Sequence, residues 1–334
     1  MCNSVLNLKF MKKNIAVIMG GYSSENEISI KSGSVVVHHL DAQLYTIFPI
    51  YILPNKWVVK IDNTEFFVDK SDFSISLKGK KIKFDCVFNA IHGNPGENGK
   101  ILSYFDLLGL KYTSAPFYQM ALTFNKRDTL SVLKKYDIPV AKSIYINKGD
   151  VIDVDKIANF LKLPCFVKAN CAGSSYGISK VYKKENLIKA INYSFAESDE
   201  ILIESFLNGK EVSVGVIDFN DKIEVLPMTE IVSDNDFFDY EAKYLGKSKE
   251  ITPARISISE KETLIKLATK IYKILNMQGM TRLDFIFVGN IPYFIEINTV
   301  PGLSEESIIP QQVKYAGYTL KDFFGLAIES CLKR

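Results

Sequence analysis

The stretch MTRLDFIFVGNIPYFIEINTVPG, residues 280–302, decides the fold. Two runs rich in aromatic and β-branched residues flank Gly289 and Asn290, which is the composition of a β-hairpin. A three-residue loop of Gly289, Asn290 and Ile291 sets Asp284 opposite Glu296 and Arg282 opposite Asn298. The alternation of a strand then puts all of these side chains on one face. Directly opposed side chains have Cβ atoms roughly 4.5–5.5 Å apart, so two carboxylates placed this way repel unless a cation lies between them. Hard oxygen donors of this kind suit Mg²⁺, which takes one or two carboxylates and completes its shell with water and phosphate oxygens. The same spacing also fits a solvated hairpin face carrying an Arg–Asp pair, and the rest of the chain has to decide between the two.

With 334 residues, 47% of them hydrophobic and 24% charged, the chain has the size and composition of two or three domains with cores of their own. The net charge is +3, and the lysines are interleaved with Asp and Glu instead of gathering on one face, which argues against a nucleic-acid partner. Cys2, Cys86, Cys165, Cys171 and Cys331 are odd in number and lack metal-type spacing, so they fit free thiols in a reducing cytosol. No apolar run reaches the roughly 18–20 residues of a membrane span. The first ten residues lack a signal-peptide core and are expected to be a disordered leader.

Near the N-terminus, NIAVIM at 14–19 ends in Gly20 and Gly21, and Ser24 with Glu27 offers a capping box for a helix to about Leu40. A strand, tight turn and helix can bring a ligand to backbone N–H groups. This is not a dinucleotide fingerprint, and Glu25 also fits an ordinary helix-dipole partner. Strand-like runs follow at Leu44–Leu53, Trp57–Lys60 and Phe84–Ile91, the last leading into HGNPGENG at 92–99. A glycine-rich loop leaving a buried strand is where α/β sheets place ligands; His92 there also fits a loop residue satisfied by backbone. A helix from about Lys100 to Leu108 closes at Gly109.

Helical segments around Asn125 and Arg127 end before Pro139, where a new unit begins. The strand LPCFVK at 163–168 ends in Lys168, and CAGSSYG at 171–177 supplies small residues that suit either a phosphate cradle or a surface turn. Strands are expected at Glu200–Glu204 and Val212–Phe219, with 223–232 returning antiparallel. DFFDYEAKY at 236–244 has no clean period and reads as a structured loop able to act as a lid. Ser259 and Glu262 match a capping box for a helix whose Leu264, Leu267, Ala268, Ile271 and Leu275 form a core stripe.

Taken together, GGYSSE at 20–25, His92-Gly93 with Gly96-Glu97, Lys168 with GSS at 173–175, YEAKY at 240–244, Arg282 with Asp284, Glu296 with Asn298, and Pro301-Gly302 resemble the D-alanine:D-alanine ligases of the ATP-grasp superfamily. The resemblance runs from about residue 12 to the end of the chain. It implies an α/β fold, α+β in its C-terminal half, with an N-terminal parallel-sheet domain at 1–115, a central ATP-grasp subdomain at 116–206 and a C-terminal one at 207–334. It further implies ATP held between two antiparallel sheets, with Lys126 and Lys168 on the phosphates, Glu204 near the adenine edge, Glu211 on the ribose and Lys243 near the transferred phosphate. Asp284, Glu296 and Asn298 would hold two Mg²⁺ ions, with Mn²⁺ as a substitute.

By the same resemblance, Glu25 takes the ammonium of the first D-alanine, His92 belongs to the substrate set, and Ser307 grips the carboxylate of the second. Arg282 and the Gly302 N–H stabilise the oxyanion that develops as the amine attacks an acyl phosphate. Ser174 and Tyr244 close their loops over the site, linked to Glu25, and exclude water. The implied product is D-alanyl-D-alanine for peptidoglycan, made in the cytoplasm by a homodimer with no membrane partner. Two positions depart from the family pattern: Cys171-Ala172 stands where relatives carry a polar residue before the glycine, and Asn98 replaces a common Asp. Ligases that join D-alanine to D-lactate or D-serine, and a silent nucleotide-binding protein, remain as competing readings. The full set of Lys126, Lys168, Arg282, Asp284, Glu296 and Asn298 argues against the silent protein, and Tyr244 favours an amine acceptor over D-lactate.

Overall fold

The hairpin forms between strands Thr281–Val288 and Ile291–Asn298, and it pairs Arg282 with Asn298 and Asp284 with Glu296 as the spacing predicts. Its turn is shorter than expected, with only Gly289 (φ +59°) and Asn290 lying between the paired Val288 and Ile291. The register then shifts between Asp284 and Phe285, so that Phe285 faces Phe294 and Ile295 is the extra residue of a β-bulge. The bulge reverses the phase of the second strand. Pro292 and Phe294 are buried before it and Ile297 after it, which leaves Glu296 and Asn298 on the face of Arg282 and Asp284. A two-residue turn without the bulge would set Asp284 against Ile295 and turn Glu296 to the core side.

A computed structural model describes residues 12–62, 64–173, 176–219, 222–233 and 248–334 of the chain. The expected leader and the expected lid at 236–244 lie outside them. The hairpin belongs to a sheet ordered Ser248–Ile251, Thr229–Ser233, Lys210–Ile217, Thr281–Val288, Ile291–Asn298, with Glu224–Val225 paired to Lys210–Ile217. A second antiparallel sheet runs Ser179–Val181, Cys165–Ala169, Glu200–Ser205, Ser143–Asn147. The N-terminal sheet runs Lys80–Ile82, Ser74–Leu77, Thr64–Asp69, Trp57–Ile61, Tyr45–Ile52, Lys13–Gly20, Cys86–Asn89. It is parallel only where Lys13–Gly20 meets its two neighbours and antiparallel elsewhere, so it is mixed.

Two helix starts differ from expectation. The first helix spans Asn26–His39 with Glu25 at its N-cap and no side-chain cap, so the box expected from Ser24 does not form. The helix Ile258–Ile274 is capped by Ser257 with Glu260, not by Ser259 with Glu262; both pairs have the same S-x-x-E spacing, and the earlier one makes both reciprocal bonds. The stripe behind it holds, with Leu264, Ala268, Ile271 and Leu275 buried and Leu267 half-buried against the same core.

The central sheet has its own core with Ile146, Ile157, Val167, Leu187 and Ile203. The first and last parts of the chain share one: Ile15, Val17 and Phe88 pack with Phe219, Leu303, Phe323 and Phe324. Phe324, on the C-terminal helix Leu320–Lys333, is 0% exposed and meets the Phe88 ring at 5.7 Å. This packing fixes the N-terminal sheet against the part of the chain that carries the hairpin. Phe324→Ala should destabilise the fold by about 3–5 kcal/mol through lost burial and an unfilled cavity, read as a lower midpoint in urea. A midpoint equal to that of the unaltered protein would mean that the helix packs loosely on the sheet.

Candidate active site

Asp284 is held from several sides. Arg282 donates through Nε to Oδ1 at 2.9 Å and through Nη2 to Oδ2 at 2.8 Å, Ser213 Oγ donates to Oδ1 at 2.7 Å, and Asn298 Nδ2 donates to Oδ2 at 3.1 Å. The carboxylate is only 5% exposed, so the reading of a solvated hairpin face is set aside. Ser213 comes from the neighbouring strand, directly opposite Asp284 in the ladder, and Glu211 stands two residues along the same strand on the same face.

The second antiparallel sheet contributes Lys168, whose Nζ donates to Glu204 at 2.8 Å. Lys168 faces Leu202 and Glu204 faces Phe166, a diagonal pair on one face of the ladder. Burial alone would lower the Lys168 pKa, but the nearby carboxylates of Glu204, Glu296 and Glu211 outweigh it and hold the ammonium above its usual range. Lys126, at the start of helix Lys126–Lys134, donates to the Ala172 carbonyl at 2.6 Å and stands 3.8 Å from Glu296 Oε2. Asn170 steadies the intervening segment, donating to Asn125 at 2.9 Å and to Glu200 at 2.8 Å while accepting from the Arg127 N–H.

The residues expected to hold a metal can be tested on their donors. Among the described residues no group of three His, Cys, Asp or Glu side chains is placed to hold an ion. The candidate set is instead two carboxylates facing each other in register, with the Asn298 amide beside them. An oxygen-only set that leaves coordination positions for phosphate and water fits a hard divalent cation.

On the other side of Arg282 lies a cavity of about 310 Å³, lined by Glu25, His92, Arg282, Asn298, Gly302 and Ser307 among others. Its volume falls at the small end of ligand pockets, about 300–1,000 Å³. Glu25 is 7% exposed. Glycines make room for its carboxylate: a Cβ at Gly173 would come within 2.7 Å of Oε2, and one at Gly93, whose φ is +66°, within 3.0 Å. Turned this way, the side chain is not available to its own helix. Ser307 heads helix Ile308–Tyr315 without capping it, and its hydroxyl shares a 2.8 Å hydrogen bond with that of Ser304. A helix N-terminus with its hydroxyl kept outside the helix suits a carboxylate.

His92 has protein partners on both ring nitrogens. Nδ1 lies 2.7 Å from the Val300 carbonyl, which can only accept, so Nδ1 carries the proton and Nε2 accepts from Ser32 Oγ at 2.9 Å. Burial lowers the His92 pKa against the opposing pull of Glu25 and the Val300 bond, and Arg282 adds to the lowering. Burial thus favours the neutral ring, which shapes the cavity wall. Glu97 is buried close by; burial and the Glu25 charge push its pKa up to about 7, against the backbone N–H groups of Gly93, Thr299 and Val300.

The structure thus gathers Lys126, Lys168, Glu204, Glu211, Asp284 and Glu296 on one side of Arg282 and Glu25, His92, Gly302 and Ser307 around the cavity on the other, with Asn298 bonded to Asp284 and also lining the cavity. Ser174, Lys243 and Tyr244 lie outside the described residues. Ser32, Asn170 and Ser213 are site neighbours that the sequence reading passed over, and Glu97, quoted there as part of the family motif, was given no role. Ser213 was reachable from strand register, and Glu97 from its place in the glycine-rich loop.

The chain as a whole has counterparts among known proteins. The families described as D-ala D-ala ligase N-terminus and D-ala D-ala ligase C-terminus match residues 14–115 and 132–329. A D-alanine–D-alanine ligase of Flavobacterium johnsoniae is 57% identical over 321 residues, 96% of this chain and 99% of that protein. Among solved structures, the VanG D-Ala:D-Ser ligase of Enterococcus faecalis superposes with a TM-score of 0.84 at 29% identity, over 96% of this chain and 99% of that one. The Bacillus anthracis D-alanine–D-alanine ligase complexed with ATP does so at 0.78 and 26%, over 96% and 98%. The chain belongs to the D-alanine–D-alanine ligase family and has its ATP-grasp fold.

Proposed function

We propose that the protein joins two molecules of D-alanine into D-alanyl-D-alanine for peptidoglycan synthesis, splitting ATP to ADP and phosphate through an acyl phosphate. The observation that carries this reading is Arg282, which is bonded to the carboxylate of the oxygen-donor face and also lines the cavity built on Glu25. A phosphoryl group delivered on one side is then within reach of a carboxylate bound on the other. Lys126 and Lys168 neutralise phosphate oxygens, with Lys243 near the transferred group, while Glu204 and Glu211 take the adenine edge and ribose. Asp284, Glu296 and Asn298 would hold divalent ions, two Mg²⁺ with Mn²⁺ as a substitute, whose chemistry is to offset phosphate charge.

Glu25 pairs with the ammonium of the first D-alanine and thereby turns its carboxylate toward Arg282. Ser307 and its helix N-terminus receive the carboxylate of the second. As the second amine attacks, Arg282 and the Gly302 N–H meet the developing oxyanion, while Ser174 and Tyr244 close the loops that keep water out. The same reading places the enzyme in the cytoplasm as a homodimer. No helix among the described residues is long and apolar enough to cross a membrane. The likeness to a D-Ala:D-Ser ligase supports a second reading, in which D-serine is the acceptor.

Phosphate release with ATP, Mg²⁺ and each of D-alanine, L-alanine, D-serine and D-lactate separates these readings. Release is expected with D-alanine alone, giving the dipeptide; equal turnover with L-alanine would contradict it, and release only when D-serine accompanies D-alanine would select the second reading. Glu296→Gln should lower kcat by at least about 100-fold, the scale seen when a pre-placed electrostatic partner is lost. Removing Asn298, a neutral donor, should cost less. Near-normal turnover in Glu296→Gln would show that the carboxylate pair does not hold the ion.

A further inference from the structure

The Gly302 N–H has to meet an oxyanion, yet Gly302 lies in the irregular segment that follows the hairpin, where no strand ladder fixes its backbone. Three contacts from distant parts of the chain hold the segment. Glu97 Oε1 accepts from the Thr299 N–H at 3.2 Å, while its Oε2 accepts from the Gly93 N–H at 3.1 Å. His92 Nδ1 donates to the Val300 carbonyl at 2.7 Å. Ser32 Oγ accepts from the Leu303 N–H at 3.2 Å and donates to His92 Nε2 at 2.9 Å. These bonds fall on both sides of Gly302, and Pro301 between them has no N–H to offer. Ser32, His92, Glu97 and Thr299 are all buried, so none of the bonds competes freely with water.

We propose that Glu97 is a positioning residue for the ligation step: with the Ser32–His92 pair it fixes the backbone of Thr299–Leu303 and so aims the Gly302 N–H at the reacting carbonyl. The role rests on the ligase reading. It requires a carboxylate of full glutamate length, because one oxygen must reach Gly93 and the other Thr299. Glutamine keeps the length but replaces one acceptor with an N–H donor that would face another N–H. Aspartate keeps both acceptors but is shorter by a methylene and cannot span the two amides.

The test uses the protein and its Glu97→Gln, Glu97→Asp and Ser32→Ala variants, with dipeptide kinetics and amide hydrogen exchange read together at a pH well above 7, where both Glu97 oxygens accept. Both Glu97 variants should lower kcat by about 10- to 100-fold, the cost of a small misplacement at a reacting centre, with the KM for ATP changed less than about twofold. The Thr299 amide should exchange faster in both, and the Leu303 amide in Ser32→Ala, while amides of the central sheet stay protected. Wild-type kcat in Glu97→Asp would overturn the proposal by showing that charge alone matters. A fall in kcat with unchanged exchange across Thr299–Leu303 would also overturn it. If the unaltered protein made no dipeptide, the ligase reading would fail first, and the exchange data would still report whether Glu97 holds the segment.

Discussion

The bulge at Ile295 is the constraint on which the site depends. Leu283, Phe285 and Phe287 point into the core from one strand, and Pro292, Phe294 and Ile297 from the other. An unbroken alternation cannot bury both Phe294 and Ile297, because they are three residues apart. The extra residue satisfies the apolar pattern on each side and brings Glu296 across from Asp284. One irregularity therefore serves the core and the chemistry together. Bulges commonly re-aim side chains in this way next to active sites.

Arg282 turns that face into a site with two sides. Its pairing with Asp284 is shielded from water, and leaving Asp284 buried without it would cost about 3–5 kcal/mol. Ser213 and Asn298 bond the same carboxylate, so Asp284, to which Arg282 is paired, is itself held from several sides. The N-terminal unit completes the cavity from outside the hairpin sheet, through Glu25, His92 and Glu97. These residues reach the cavity in a fixed pose because Phe88 and Phe324 lock the N-terminal sheet onto the C-terminal helix. The fold thus joins an oxygen-donor face and a cavity that neither part of the chain builds alone.

Much of this was legible in the sequence. The register at Asp284 and Glu296 could be read because charged groups interrupting an apolar alternation leave only one workable pairing. The turn was misjudged by one residue because a three-residue loop and a two-residue turn with a bulge place Glu296 identically. Helix starts were harder: Ser257 and Ser259 both precede a glutamate at capping distance, and Glu25 gave up its helix for the cavity. The Ser32–His92–Val300 chain and the reach of Glu97 to Thr299 were not legible, since they join residues 60 to 208 positions apart and carry no local period. The mixed pairing in the N-terminal sheet was missed because a parallel sheet was taken from the resemblance, although the runs at 44–53 and 57–60 are joined too closely for a parallel crossover; the short strands Ser74–Leu77 and Lys80–Ile82 alternate too briefly to stand out.

The central claim is that the amino acid held beside Glu25 has its own carboxylate phosphorylated before the peptide bond forms. Turnover of D-alanine labelled with ¹⁸O in its carboxylate, followed by mass analysis of the released phosphate, tests this most directly. Attack of the second amine breaks the bond between the acyl carbon and the bridging oxygen, so one labelled oxygen should leave with each phosphate. Dipeptide formed at the normal rate with unlabelled phosphate would contradict the account.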